Sequence, residues 1–170
     1  AIGEPPATRG YPPSCFAKLP QLVERSGNGL AGAGSITAIY TVLSEGDDPQ
    51  DPIADAARGI RDGHIVLSRE LAEAGHYPAI DVERSISRVM PSVAPRDQVH
   101  AARRARQLRA RYNKARDLIQ LGAYNAGHDA DLDAAVRLHP ALTRLLQQDM
   151  HQRATLADSW SGLHDVIGGD

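Results

Sequence analysis

At 170 residues, 42% of them hydrophobic, the chain is long enough to bury a sizeable core and to form one domain or one and a half. Aromatics make up only 4%, so that core is expected to be aliphatic and alanine-rich. A formal net charge of -2 provides no global basic field for nucleic acid or acidic lipid. A single cysteine, Cys15, excludes an internal disulfide and suits a reducing compartment, and no apolar run approaches the ~20 residues of a membrane span.

The chain opens on a proline-rich run, Gly3 to Ser14, in which Pro5, Pro6, Pro12 and Pro13 fix φ and remove amide donors. This stretch is a stiff connector carrying opposite charges at Glu4 and Arg9, which suits a site, a subunit contact or a surface loop. Phe16, Leu19, Leu22 and Val23 then fall at helical spacing, with a kink or split expected at Pro20. Gly27-Asn-Gly-Leu-Ala-Gly32 satisfies a dinucleotide glycine pattern, but it follows a helix and leads into a strand, the reverse of what phosphate binding needs. It reads as a flexible connecting loop.

Ser35 to Leu43 is β-branched and apolar on both faces, the pattern of a buried strand. Asp51 is placed to cap a helix with Pro52 at its first position, running to about Asp62 before Gly63. His64 to Leu67 reads as a strand, Arg69 to Ala74 as a short helix ended by Gly75, and Pro78 to Asp81 as a third strand. The alternation implies a parallel α/β sheet.

Past Pro91 and Pro95 strand signals vanish. Ala101, Ala105, Leu108, Tyr112, Ala115 and Ile119 form one apolar stripe on a long amphipathic helix, and Leu132 to Leu138, Pro140 to Met150 and Leu156 to Val166 read as further helices. The expected domains are therefore 1–91, α/β, and 92–170, helical. From Arg96 to Arg116 there are eight basic residues against one acid, Asp97. No aromatic platform accompanies them, which favours a solvated helix face over a nucleic-acid groove. The acidic trios Asp47, Asp48, Asp51 and Asp129, Asp131, Asp133 have no histidine or cysteine converging on them, so turn chemistry and helix capping are the plain account.

The opening run, continued by Phe16-Ala-Lys-Leu-Pro-Gln-Leu-Val-Glu-Arg25, Gly34-Ser-Ile-Thr-Ala-Ile-Tyr-Thr-Val42, Gly46-Asp-Asp48, Asp51-Pro-Ile-Ala-Asp55, Asp62-Gly-His-Ile-Val-Leu-Ser-Arg69, Gly75-His-Tyr-Pro-Ala-Ile-Asp81 and Ser85-Ile-Ser-Arg-Val89, resembles the type III protein export ATPases. These are the flagellar and injectisome enzymes related to F-type ATPase catalytic subunits. Tyr112-Asn-Lys-Ala-Arg-Asp-Leu-Ile-Gln-Leu-Gly-Ala-Tyr124 and Leu145-Leu-Gln-Gln148 resemble their C-terminal domain, so the likeness covers nearly the whole chain.

The resemblance implies the C-terminal part of a RecA-like P-loop ATPase domain followed by an all-α helical domain. It implies a homo-hexamer that couples ATP hydrolysis to protein export, with Mg²⁺ as the companion ion. By the same likeness, Arg88 matches the arginine that reaches the neighbouring subunit's γ-phosphate, where a planar, permanently charged guanidinium neutralises developing charge. Arg84 lies nearby but off the motif. Tyr77 matches the aromatic packed against adenine, and Met150 is placed to join that pocket; from the residues alone, a core role is open for both.

The implied partners are a central coiled-coil stalk protein, met by the acidic segments, a peripheral regulator and export chaperones, with no nucleic acid. The implied location is the bacterial cytoplasm at the base of the membrane export apparatus. No Gly-x-x-x-x-Gly-Lys-Ser/Thr loop occurs in the sequence, so ligands for ATP and Mg²⁺ are expected mostly outside this chain and the chain alone is expected to be inactive. The alternative is a non-catalytic interaction fragment binding ATPase subunits, stalk or chaperones. Ala123 in Leu121-Gly-Ala-Tyr124 leans towards the flagellar branch.

Overall fold

The computed structural model describes residues 3–5, 10–43, 51–60 and 62–168. Packing divides the chain into two compact units, one up to His64 and one from Ile65 onward.

In the first unit, α1 (Pro13–Val23) begins after Pro12 and keeps Pro20 inside it, so of the kink or split expected there the split does not occur. The glycine-rich run forms a small antiparallel ribbon, β1 (Gly27–Asn28) against β2 (Ser35–Ile36), in register Gly27 with Ile36 and Asn28 with Ser35. Ala33 N–H donates to the Leu30 carbonyl at 2.8 Å and closes the turn. This hairpin replaces the expected flexible loop, and it leaves no helix N-terminus for a phosphate.

The expected buried strand over Ser35 to Leu43 is not formed: pairing stops at Ile36, and Ile36, Ile39 and Leu43 are 64%, 92% and 90% exposed. An apolar strand buried on both faces needs neighbours to pair with and a layer on each side, and the described residues provide neither. α2 (Pro52–Ile60) starts as expected. The Asp51 carboxylate accepts from the amides of Ile53 at 2.9 Å and Ala54 at 2.8 Å, and Ala57 is fully buried.

β3 (Gly63–Leu67), α3 (Arg69–Glu73) and β4 (Ile80–Ser87) follow. Ser68 caps α3, its hydroxyl accepting from the Leu71 amide, and Gly75 reverses the chain at φ 71°. β3 and β4 form their own two-stranded sheet. The single parallel sheet expected from the alternating pattern is therefore absent among the described residues, because the segment at 35–43 does not join it. β4 is longer than expected and runs past Asp81, whose side chain accepts from the amides of Glu83 and Arg84.

After the short α4 (Met90–Val93) come α5 (Arg96–Gln120), α6 (Ala130–Leu146) and α7 (Leu156–Ile167). Leu108, Ala134, Ala135, Leu138 and Leu142 form the core, with Ala105, Tyr112, Leu163 and Val166 packed against it. The predicted stripe on α5 thus faces inward. Two expected helices around Pro140 are one, since α6 runs through that proline and ends at Leu146, four residues before Met150. The capping box at Thr155 and Asp158 starts α7. At Gly162 a Cβ would stand 2.9 Å from Leu145 Cδ1, so glycine permits the close approach of α7 to α6.

Candidate functional site

Two turns of the second unit converge. The first is the reversal Gly75 to Pro78, which contains a cis Tyr77-Pro78 bond; the second follows the end of α6, from Gln147 to Gln152. The Gln148 amide donates to the Tyr77 carbonyl at 2.8 Å. The second turn is closed on itself by Gln148 Nε2 to the Gln152 carbonyl at 2.8 Å and by His151 N–H to Asp149 Oδ1 at 2.8 Å.

Between them lies a cavity of about 880 Å³ whose wall includes Gly75, Tyr77, Pro78, Gln148, Asp149 and Met150. Tyr77 is 57% and Met150 88% exposed, so neither is a core residue. A flat aromatic face, a thioether and neighbouring amides suit a planar heterocycle, held by stacking and a few edge hydrogen bonds. The structure thus brings two of the three candidate residues to one hollow.

Arg88 is elsewhere. It is the first residue beyond β4, exposed, in a turn where the Ser87 hydroxyl accepts from the Met90 amide at 3.1 Å, and it does not line the cavity.

Behind the Tyr77 turn, His76 is buried, and burial followed by the nearby Arg109 charge holds its imidazole below the usual histidine range. His139 on α6 is lowered for the same two reasons and stacks on Tyr112 at 3.5 Å between centroids. Arg109 forms an ion pair with Glu83 of β4 at 3.7 Å, too long for a hydrogen bond. Its Nε and His139 Nδ1 are buried without a hydrogen-bond partner among the described residues. Arg106 donates to the Glu83 carbonyl at 2.7 Å, and Asn113 Nδ2 donates to Glu83 Oε1. The sequence reading missed this group, although Arg106, Arg109 and Asn113, at i, i+3 and i+7, share one face of α5.

The basic helix and the second acidic trio largely answer each other. Arg104 pairs with Asp131 at 2.9 Å, Arg111 pairs with Asp129, and Arg116 lies 3.6 Å from Glu70. Asp129 also caps α6 through the Leu132 amide, and that bond together with Arg111 holds its carboxyl below the usual range. Asp133 accepts from the Tyr124 hydroxyl and the Gly127 amide, and the first of these raises the Tyr124 pKa. Capping and turn chemistry therefore account for Asp51, Asp129 and Asp133, while Asp47, Asp48 and Arg9 lie outside the described residues. Among the described residues no three His, Cys, Asp or Glu side chains converge to hold a metal ion, and no helix is long and apolar enough to cross a membrane.

Residues 1–87 match the model of the ATP synthase alpha/beta family, nucleotide-binding domain, and residues 94–165 match that of the T3SS EscN ATPase C-terminal domain. The chain is similar to the flagellum-specific ATP synthase of Pseudomonas aeruginosa, at 60% identity over 99% of this chain and 38% of that protein. It superposes on the assembled ATPase EscN of the enteropathogenic E. coli type III secretion system with a TM-score of 0.93 and 43% identity, covering 97% of this chain and 40% of that one. With EscN in complex with its central stalk EscO, the TM-score is 0.86 and the identity 41%, covering 97% of this chain and 38% of that one. The chain thus spans about two fifths of the length of the relatives it matches.

Proposed function

The chain belongs to the ATP synthase alpha/beta nucleotide-binding family, in the branch of the type III export ATPases, and from that premise we propose that it is the C-terminal part of a hexameric ATPase driving flagellar or injectisome protein export. The observation that carries this reading is the cavity shared by Tyr77 and Met150, two residues far apart in sequence. Its flat, half-exposed aromatic wall fits an adenine base, and its volume falls within the range of ordinary ligand pockets, roughly 300 to 1,000 Å³. ATP supplies the phosphoryl group whose transfer releases the energy for export.

In this reading Tyr77 and Met150 flank the base within one subunit, while Arg88, standing outside the cavity, serves the neighbouring subunit's nucleotide. Its permanent charge stabilises the negative charge that develops on the transferring group. The phosphate-binding loop and the Mg²⁺ ligands belong to sequence not contained in these residues, so the chain alone is inactive. Domains of 1–91 and 92–170 accord with the interval between the two family matches.

A central stalk is proposed as partner, by analogy with the complex of EscN and EscO. A peripheral regulator, export chaperones and a cytoplasmic position at the base of the apparatus complete the proposal. Arg88→Ala in the full-length protein tests it. Turnover is expected to fall by roughly 10³-fold or more while ATP binding changes little; loss of binding together with turnover would make Arg88 a structural residue.

A further inference from the structure

Arg88 is useful to a neighbouring subunit only if the strand delivering it is held still, and among the described residues β4 pairs with β3 alone, so support from outside the sheet matters. The structure shows where that support comes from. Within β4 the Ser85 hydroxyl donates to the Asp81 carbonyl at 2.6 Å, and towards β3 it accepts from the Val66 amide at 2.9 Å. Towards α5, Glu83 is held three ways: Arg106 on its carbonyl, Asn113 on its carboxylate, and Arg109 as an ion pair at 3.7 Å. The Arg109 side chain is only 11% exposed and that of Glu83 27%, so this pair is screened less than the surface ion pairs of α5. From Glu83 to the end of β4 at Ser87 is four residues of extended chain, roughly 13 Å, and Arg88 follows in the turn closed by Ser87 and Met90.

We propose that Glu83 is a positioning residue through which α5 of the helical region sets the place and direction in which Arg88 leaves β4. The proposal rests on the reading of Arg88 as the arginine acting on the neighbouring nucleotide. A displacement of about 1 Å in such a group is enough to cost up to about a hundredfold in rate. Glu83 and Arg88 lie outside the wall of the Tyr77 cavity, so releasing the strand slows turnover without weakening the binding of the base.

The test is steady-state ATPase kinetics on the full-length assembly carrying Glu83→Gln, which keeps the shape and an acceptor oxygen but removes the charge opposite Arg109. Arg88→Ala is measured alongside. A fall in kcat of about tenfold, with KM for ATP within about twofold and an unchanged melting temperature, is the expected result. Asn113→Ala, at an exposed position, should give a smaller fall of about threefold in kcat, and it decides the matter if Glu83→Gln does not assemble. Unchanged kcat, or a loss that tracks a fall in melting temperature, overturns the positioning role; if Arg88→Ala still abolishes turnover, the reading of Arg88 survives. Full turnover in Arg88→Ala removes both.

Discussion

The amide of Gln148 donates to the carbonyl of Tyr77 at 2.8 Å, across a separation of more than seventy residues. This bond joins the turn after α3 to the turn after α6. The two walls of the cavity are therefore positioned by one main-chain contact between the α/β and helical parts of the second unit.

Tyr77→Ala in the full-length enzyme removes the flat face from that cavity and leaves the Gln148 bond intact, since only the main chain of Tyr77 takes part in it. KM for ATP should rise by about five- to tenfold with kcat little changed, the size of one lost aromatic stacking contact, and Tyr77→Phe should be near neutral. Steady-state kinetics check both.

The histidines behind the site make stability pH-dependent. His76 and His139 are held below the usual range by burial and then by Arg109. The unfolded chain therefore binds protons at these residues that the folded one refuses. Their contribution is fully present above the unfolded value of about 6.5 and is lost as pH falls through the lowered folded values. Melting temperature should decline as pH drops below about 6.5, and His139→Gln should flatten that decline. An equal decline in the variant would remove His139 from this account.

The helical core should respond sharply to truncation. Leu142 is 1% exposed and packs with Leu108, Leu138 and Ala135. Leu142→Ala should destabilise by about 2 to 5 kcal/mol, measured by denaturant unfolding, because the removed atoms leave a cavity that rigid helices close only in part. Substitution at Leu118, which is 53% exposed, should cost far less.

The basic face of α5 should not make the protein a nucleic-acid binder. Arg104, Arg111 and Arg116 already face Asp131, Asp129 and Glu70. Titration with single-stranded DNA at moderate salt should show no binding, and a steep salt-dependent affinity would favour a nucleic-acid function instead.

Local chemistry was legible in the sequence. Asp51 before Pro52, Gly75 after α3 and the apolar spacing on α5 each announce an element through a pattern a few residues long. What failed depended on distant partners. Ser35 to Leu43 carries a strand pattern, but a pattern cannot supply neighbours, and Ile36, Ile39 and Leu43 stay exposed. Pro140 removes one amide from α6, yet packing on both sides through Leu138 and Leu142 outweighs that loss. The shared cavity of Tyr77 and Met150 followed from family likeness and not from spacing. The grip on Glu83 was invisible because its partners lie 23 to 30 positions away on another element.

The central claim is that this chain contributes to a site it does not complete, with Arg88 acting across a subunit boundary. Mixed assembly tests it most directly. Full-length subunits carrying Arg88→Ala are combined with subunits whose phosphate-loop lysine is replaced by alanine, each inactive by itself. The account predicts that turnover returns on mixing, from sites that pair an intact phosphate loop with an intact Arg88. Mixed oligomers that form yet stay as inactive as their parents would contradict it.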